Sequence, residues 1–304
     1  MPTRKPVLRR GDRIGIAATG FAVREAALDA GLAELRSLGF QPVEGAATRS
    51  RCDYFAGDDE ARAADLLAMW DDPDLAAVWY ARGGYGTARI LDKLDLRRFA
   101  RDPKPMLGYS DVTALFASLL NRARGVYFHA PLVANLGQER GFHAPSLRAM
   151  LAGRPVTWRF GKGHALARGR AKGRVMGGNL TVLVHLLGTA HMPDLAGSIL
   201  FLEEIGEEAY RLDRLFNHLR MAGALAKVRA VVLGHFLVPP TKREFPPDRD
   251  AFEVLRDHLL PLGVPVVAGF PAGHGQGSWT LPLGGEGALD TARGTLTLDP
   301  RPVS

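Results

Sequence analysis

The stretch Lys104-Pro105-Met106-Leu107-Gly108-Tyr109-Ser110-Asp111-Val112-Thr113-Ala114-Leu115-Phe116 changes periodicity half-way along. Met106 and Leu107 sit in an extended apolar run, whereas Val112, Leu115, Phe116 and Leu119 recur at helical spacing, so a strand gives way to a helix at Ser110. The same rhythm is found upstream. Residues 12–18 read as a buried strand ending in Thr19-Gly20, and Ala27, Leu28, Leu32, Leu35 and Leu38 then follow at helical spacing as far as Gly39. A short strand at 40–43, a helix at 58–70 and a buried strand at 75–80 come next. The loop Arg82-Gly83-Gly84-Tyr85-Gly86 then leads into a short helix through Ile90 and Leu91. Repeated strand-helix alternation predicts an α/β fold, with a parallel sheet covered by helices on both faces over the first half of the chain.

The pattern changes after about residue 140. Pro145, Gly153, Pro155 and Gly161 punctuate the chain, and the Gly-, Ala- and Arg-rich stretch up to Arg174 has little helical periodicity. The expected division is an N-terminal α/β domain over 1–140, a linker over 141–174, and a smaller, more strand-rich C-terminal α/β domain over 175–304. In the last, strands are expected at 198–202, 230–234 and 264–268, helices at 179–187, 211–221 and 252–260, and a hairpin at 287–298.

Composition removes several function classes. At 304 residues, with 46% hydrophobic and 23% charged residues, the chain is neither disordered nor fibrous. Its formal charge of +7 comes from scattered arginines and small groups such as Arg168-Gly169-Arg170-Ala171-Lys172-Gly173-Arg174. No aromatic interleaving accompanies them and no nucleic-acid module is recognisable, so no nucleic-acid partner is expected, while anionic substrates stay open. Cys52 is the single cysteine, which excludes an intramolecular disulfide and fits a reducing compartment; it has no nearby histidine to make it a nucleophile. The apolar run at 14–18 is short and glycine-broken, unlike a signal peptide, and no unbroken apolar span reaches membrane-crossing length. A cytoplasmic location with no membrane partner is the expectation.

Ser110 stands where a serine becomes reactive, on a tight turn beside the unpaired N–H groups of a first helical turn that begins with Asp111. The same position also suits a plain helix cap. Two further polar groups finish apolar strands: residues 199–202 run into Glu203-Glu204, and residues 266–270 run into Pro271-Ala272-Gly273-His274-Gly275. Strand ends gather functional groups because a rigid sheet holds their loops. A serine hydroxyl needs a neutral imidazole to take its proton and a carboxylate to hold that imidazole's tautomer. Glu203 and His274 could fill those roles. The order serine, acid, histidine matches α/β-hydrolases, but Val112 stands where their G-x-S-x-G elbow has glycine.

Several motifs in order carry a closer likeness. Gly108-Tyr109-Ser110-Asp111 with Val112-Thr113-Ala114-Leu115, Arg82-Gly83-Gly84-Tyr85-Gly86, Gly177-Gly178-Asn179-Leu180, Leu202-Glu203 with Tyr210-Arg211-Leu212-Asp213-Arg214, and Gly273-His274-Gly275 with Thr280-Leu281-Pro282-Leu283-Gly284 resemble the LD-carboxypeptidase family of serine peptidases. The likeness runs from about Gly11 to about Leu289. It implies Ser110 as nucleophile, His274 as general base and then acid, and Glu203 as its orienting acid. Strand alternation lets only one of Glu203 and Glu204 reach the histidine, and Glu204 stays open as the alternative. The resemblance also implies an oxyanion hole from the N–H of Asp111 and one from Gly83 or Gly84; Arg82, on its position alone, is a candidate partner for the carboxylate of a terminal D-alanine. The implied reaction releases terminal D-alanine from a muropeptide tetrapeptide, at a diaminopimelate or lysine L-centre, through an acyl-enzyme and without metal or other cofactor. Family members are commonly dimers, which implies a homodimer. Where the family often has Ala-Pro-Ser after the first strand, this chain has Ala18-Thr19-Gly20-Phe21. Two alternatives follow: a microcin-type immunity peptidase acting on an aminoacyl-nucleotide, with Trp279 stacking the base, or a non-catalytic muropeptide-binding protein.

Overall fold

Two sheets, each with a parallel centre, divide the chain. The computed structural model describes residues 7–101, 104–122, 125–239 and 249–302. The first sheet contains β1 (Arg13–Ala17), β2 (Gln41–Glu44), β3 (Leu75–Tyr80), β4 (Met106–Gly108) and β5 (Tyr127–His129). Its strand order is β2-β1-β3-β4-β5, all parallel. In such an order the connections leaving β1 and β3 part in opposite directions, opening a crevice at the strands' C-terminal ends where open α/β sheets bind ligands. The loops at 18–22, 81–86 and 109–112 all lie at those ends.

Helices α1 (Glu25–Ser37), α2 (Asp59–Asp71), α3 (Leu96–Arg101), α4 (Thr113–Leu120), α5 (Val133–Leu136) and α6 (Ala144–Leu151) accompany this half. Each starts or packs for a local reason: Asp58 accepts from the Ala61 N–H to cap α2, and α4 buries all eight of its residues beneath the site.

The second sheet runs β6 (Val156–Arg159), β14 (Thr295–Pro302), β13 (Gly285–Asp290), β8 (Arg170–Asn179), β9 (Ile199–Ile205), β10 (Ala230–Leu237), β11 (Val266–Val267) and β7 (Ala165–Ala167). Strands β8 to β11 are parallel, and the flanking pairs are antiparallel. Helices α7 (Leu180–Val184), α8 (Ala209–Met221) and α9 (Ala251–Leu259) belong here, α9 opening with a reciprocal cap between Asp250 and Glu253. The expected hairpin is β13–β14.

Three expectations need correction. Residues 141–174, expected as a linker, carry α6, β6, β7 and the first half of β8. The strand signal is weak there because β8 packs through glycine: at Gly173 an added Cβ would run into the Gly197 carbonyl, and at Gly177 into that of Phe201. The helix expected over 179–187 is regular only from Leu180 to Val184. Strand β12 (Leu281–Leu283) leaves the C-terminal half altogether and pairs antiparallel with β5, with Leu281 opposite His129. Pro282 is tolerated because β12 is the outer strand of that sheet. Among the described residues no helix is long and apolar enough to cross a membrane.

Candidate active site

Ser110 follows β4 at φ +65°, in the left-handed region that non-glycine residues rarely enter. The fold holds it there. Asp111, 2% exposed, accepts hydrogen bonds on Oδ2 from the Thr87 N–H at 2.9 Å and the Thr87 hydroxyl at 2.7 Å. That clamps the serine turn to the loop after β3. Thr87 in turn pairs with Thr19 from the loop after β1 at 2.7 Å. Beneath these loops lies Arg62 of α2, fully buried, which donates to the Thr19 and Gly86 carbonyls and pairs with Asp59. Burial pushes the Asp111 carboxyl up, against the pull of its Thr87 hydrogen bonds. Gly83 lies against the serine: a Cβ there would sit 3.1 Å from Ser110 Oγ, so only a bare backbone fits comfortably.

Tyr109, and not Ser110, occupies the N-cap position of the short turn at 110–112. The Ser110 Oγ lies 3.2 Å from Nε2 of His274, and Nδ1 of that imidazole lies 2.6 Å from Oε2 of Glu203. Three residues far apart in sequence thus form one line across the two sheets. Gly273 makes the approach possible at φ +111°, since a Cβ there would come within 2.6 Å of Glu203 Oε2. His235 of β10 steadies the histidine loop by accepting the Gly275 N–H on Nδ1 at 3.1 Å. Burial lowers the pKa of His235, consistent with a neutral acceptor. Tyr109 packs edge-on against His274 at 4.8 Å.

Comparison with known proteins decides the family. The LD-carboxypeptidase N-terminal domain matches residues 14–130 and its C-terminal domain matches residues 172–289. The chain belongs to the LD-carboxypeptidase family. Murein tetrapeptide carboxypeptidase of Pseudomonas aeruginosa is 32% identical over 92% of this chain and 94% of its own. The crystal structure of muramoyltetrapeptide carboxypeptidase from Oxalobacter formigenes superposes with a TM-score of 0.85 at 31% identity, covering 96% of this chain and all of that one. A structure of MccF, a microcin C7 self-immunity protein, in complex with glutamyl sulfamoyl guanosine has a TM-score of 0.89 at 25% identity over the full length of both chains.

Glu203 is fully buried. Burial pushes its carboxyl up, yet the imidazoles of His129 and His274 more than offset that and hold it at about 2. It is therefore an anion at neutral pH. Glu204 points the other way. Its Oε2 accepts the Thr181 N–H at 2.7 Å, and its Oε1 accepts from the Ile205 N–H at 2.8 Å and the Asn179 amide at 3.2 Å. The adjacent acid thus secures the start of α7 and does not touch the histidine.

The remaining predicted positions divide. Gly84, at φ +97°, has Phe21 packed where a Cβ would go, so the glycine loop and the loop after β1 are in contact. Arg82 lines the pocket of about 380 Å³ in front of Ser110, donating to the Ala22 carbonyl. Trp279 is stacked on His143 at 4.4 Å and meets Phe270 edge-on, and it is not among the residues that line the pocket in front of Ser110.

Sequence reading missed His129, Arg62 and Thr87. His129 is 1% exposed at the end of β5, with Nε2 4.0 Å from Oε1 of Glu203. Among the described residues neither its ring nitrogens nor that carboxylate oxygen has a hydrogen-bond partner. The one available signal was its place at the end of an apolar strand, the same signal that singled out Glu203 and His274.

Proposed function

We propose that this protein is a serine carboxypeptidase that removes the terminal D-alanine from muropeptide tetrapeptides. The observation that carries the reading is the line Ser110, His274, Glu203, with a strained serine at one end and a buried anion at the other. In this reading Ser110 Oγ attacks the scissile carbonyl while His274 Nε2 takes its proton. Glu203 accepts from the Nδ1–H, which fixes the tautomer and stabilises the imidazolium. The Asp111 N–H, with one from Gly83 or Gly84, receives the developing oxyanion. His274 then returns its proton to the nitrogen of departing D-alanine, and water, activated by the same imidazole, hydrolyses the acyl-enzyme. Residues 1–140 supply the nucleophile and residues 175–304 the acid and base, so packing of the two halves sets the geometry. We place the reaction in the cytoplasm, on a homodimer, in the trimming of recycled cell-wall peptides.

The likeness to MccF supports a second reading, hydrolysis of an aminoacyl-nucleotide amide by the same residues. Mass spectrometry of a purified disaccharide tetrapeptide incubated with the protein, beside Ser110→Ala, tests the first. Loss of one alanine with the parent and a drop of about 10⁵-fold in rate for the variant is the expected result. An unchanged tetrapeptide with turnover of a glutamyl sulfamoyl nucleotide would transfer the assignment to the second reading.

A further inference from the structure

Beyond the catalytic pocket lies a second chamber of about 670 Å³. The two share Phe21, Val23, Arg24 and Arg82, so they form one groove leading away from Ser110. Four guanidinium groups, from Arg24, Arg49, Arg51 and Arg82, line the chamber against the single carboxylate of Glu25. Arg49 is occupied by Glu44 and Asp29. The other three pair with no carboxylate among the described residues: Arg51 Nε donates to the Asp53 carbonyl, and Arg82 donates to the Ala22 carbonyl with its guanidinium 5.6 Å above the Phe21 ring. Phe21 and Tyr54, edge to face at 5.4 Å, supply an apolar wall.

Uncompensated guanidiniums repel one another and match a carboxylate's two oxygens in geometry and charge. The reaction proposed above limits where that carboxylate can be. Its leaving group is a single residue, which the pocket in front of Ser110 accommodates, so nothing on the leaving side extends further. Whatever fills the second chamber belongs to the acyl portion. We propose that Arg24 and Arg51, with Arg82 at the junction, form a subsite for a carboxylate on the acyl part of the substrate, upstream of the scissile bond. The proposal rests on the carboxypeptidase reading.

The test uses two matched pairs of tetrapeptides, one with the second residue's free carboxylate intact or amidated, the other with diaminopimelate or lysine third. The parent is expected to show a KM about tenfold higher for the member lacking a carboxylate in at least one pair, with kcat little changed. In Arg24→Gln/Arg51→Gln that preference disappears, because neutralising either partner removes the same interaction. No preference in either pair, or a preference the double variant retains, overturns the subsite. Calorimetric binding of the same peptides to Ser110→Ala reads the subsite without the reaction. If the parent cleaves none of them but binding still discriminates, the reaction assignment fails and the subsite stands. Indiscriminate binding overturns the subsite whatever the parent cleaves, and turnover of a glutamyl sulfamoyl nucleotide with no peptide binding overturns both.

Discussion

Glu203 and Glu204 are neighbours on one strand, both buried, and their surroundings could hardly differ more. Glu204 is saturated by three N–H donors and holds the start of α7 in place. Glu203 has one firm partner, His274, and a second oxygen that faces His129 across 4.0 Å without a hydrogen bond. A saturated carboxylate is a structural fixture, because each donor it holds would be left unpaired by any movement. An under-saturated buried anion is costly to maintain, and what offsets that cost here is an imidazole in reach of a serine. The contrast separates a residue kept for stability from one kept for charge.

The largest effect is expected where that charge is removed. Glu203→Gln keeps the shape but no longer stabilises an imidazolium at His274, and kcat should fall about 10⁴-fold. The same group governs acid stability. Its carboxyl stands at about 2 in the folded protein against an ordinary 4.5, so below pH 4.5 the unfolded chain binds the proton first. Its contribution is complete above 4.5 and is lost as pH falls toward 2. Urea denaturation in that window should show a loss on the order of 3 kcal/mol from this group, and the variant should lack that part of the slope. A parental slope retained by Glu203→Gln would break the comparison.

A smaller effect is expected at His129. Its imidazole touches no reacting atom, so its role is positioning, through the second oxygen of Glu203. His129→Phe keeps the packing against Tyr109 and Phe201 but replaces a polar ring edge with hydrocarbon beside a buried anion. A fall in kcat of about tenfold is expected, with KM unchanged and a smaller loss of stability on acidification toward pH 2, because an anion without that neighbour is easier to protonate. Equal changes in kcat and KM with an unchanged acid dependence of stability would reduce His129 to a packing residue.

How far the sequence could be read follows the same divide. In the first half α1, α2 and α4 were legible through a 3.6-residue repeat and β1, β3 and β4 as apolar runs, whereas β5, three residues long, was not. Glu203 and His274 stood out because each ends such a run. Strand β8 did not, since its packing depends on glycines beneath neighbouring carbonyls, and neither glycine nor outward arginine writes a periodic signal. Strand β12 was unreadable for another reason: its partner is 152 residues away, Leu281 opposite His129, and no local pattern encodes that. The Arg62–Thr19–Thr87–Asp111 network is likewise tertiary; in sequence Arg62 is an ordinary helix arginine.

Glu204→Gln gives the smallest effect on catalysis and the sharpest test of the contrast. Whichever way the amide turns, its NH₂ meets a donor: Thr181 N–H on one side, or Ile205 N–H and the Asn179 amide on the other. One buried donor is left unsatisfied, at about 1–3 kcal/mol of folding stability. Since Glu204 lies on the face of β9 away from His274, kcat should stay within about threefold of the parent while thermal unfolding moves to lower temperature by several degrees. A loss of kcat approaching that of Glu203→Gln, in protein shown to be folded at the assay temperature, would mean that the two faces of the strand are coupled and that the start of α7 helps to set the histidine.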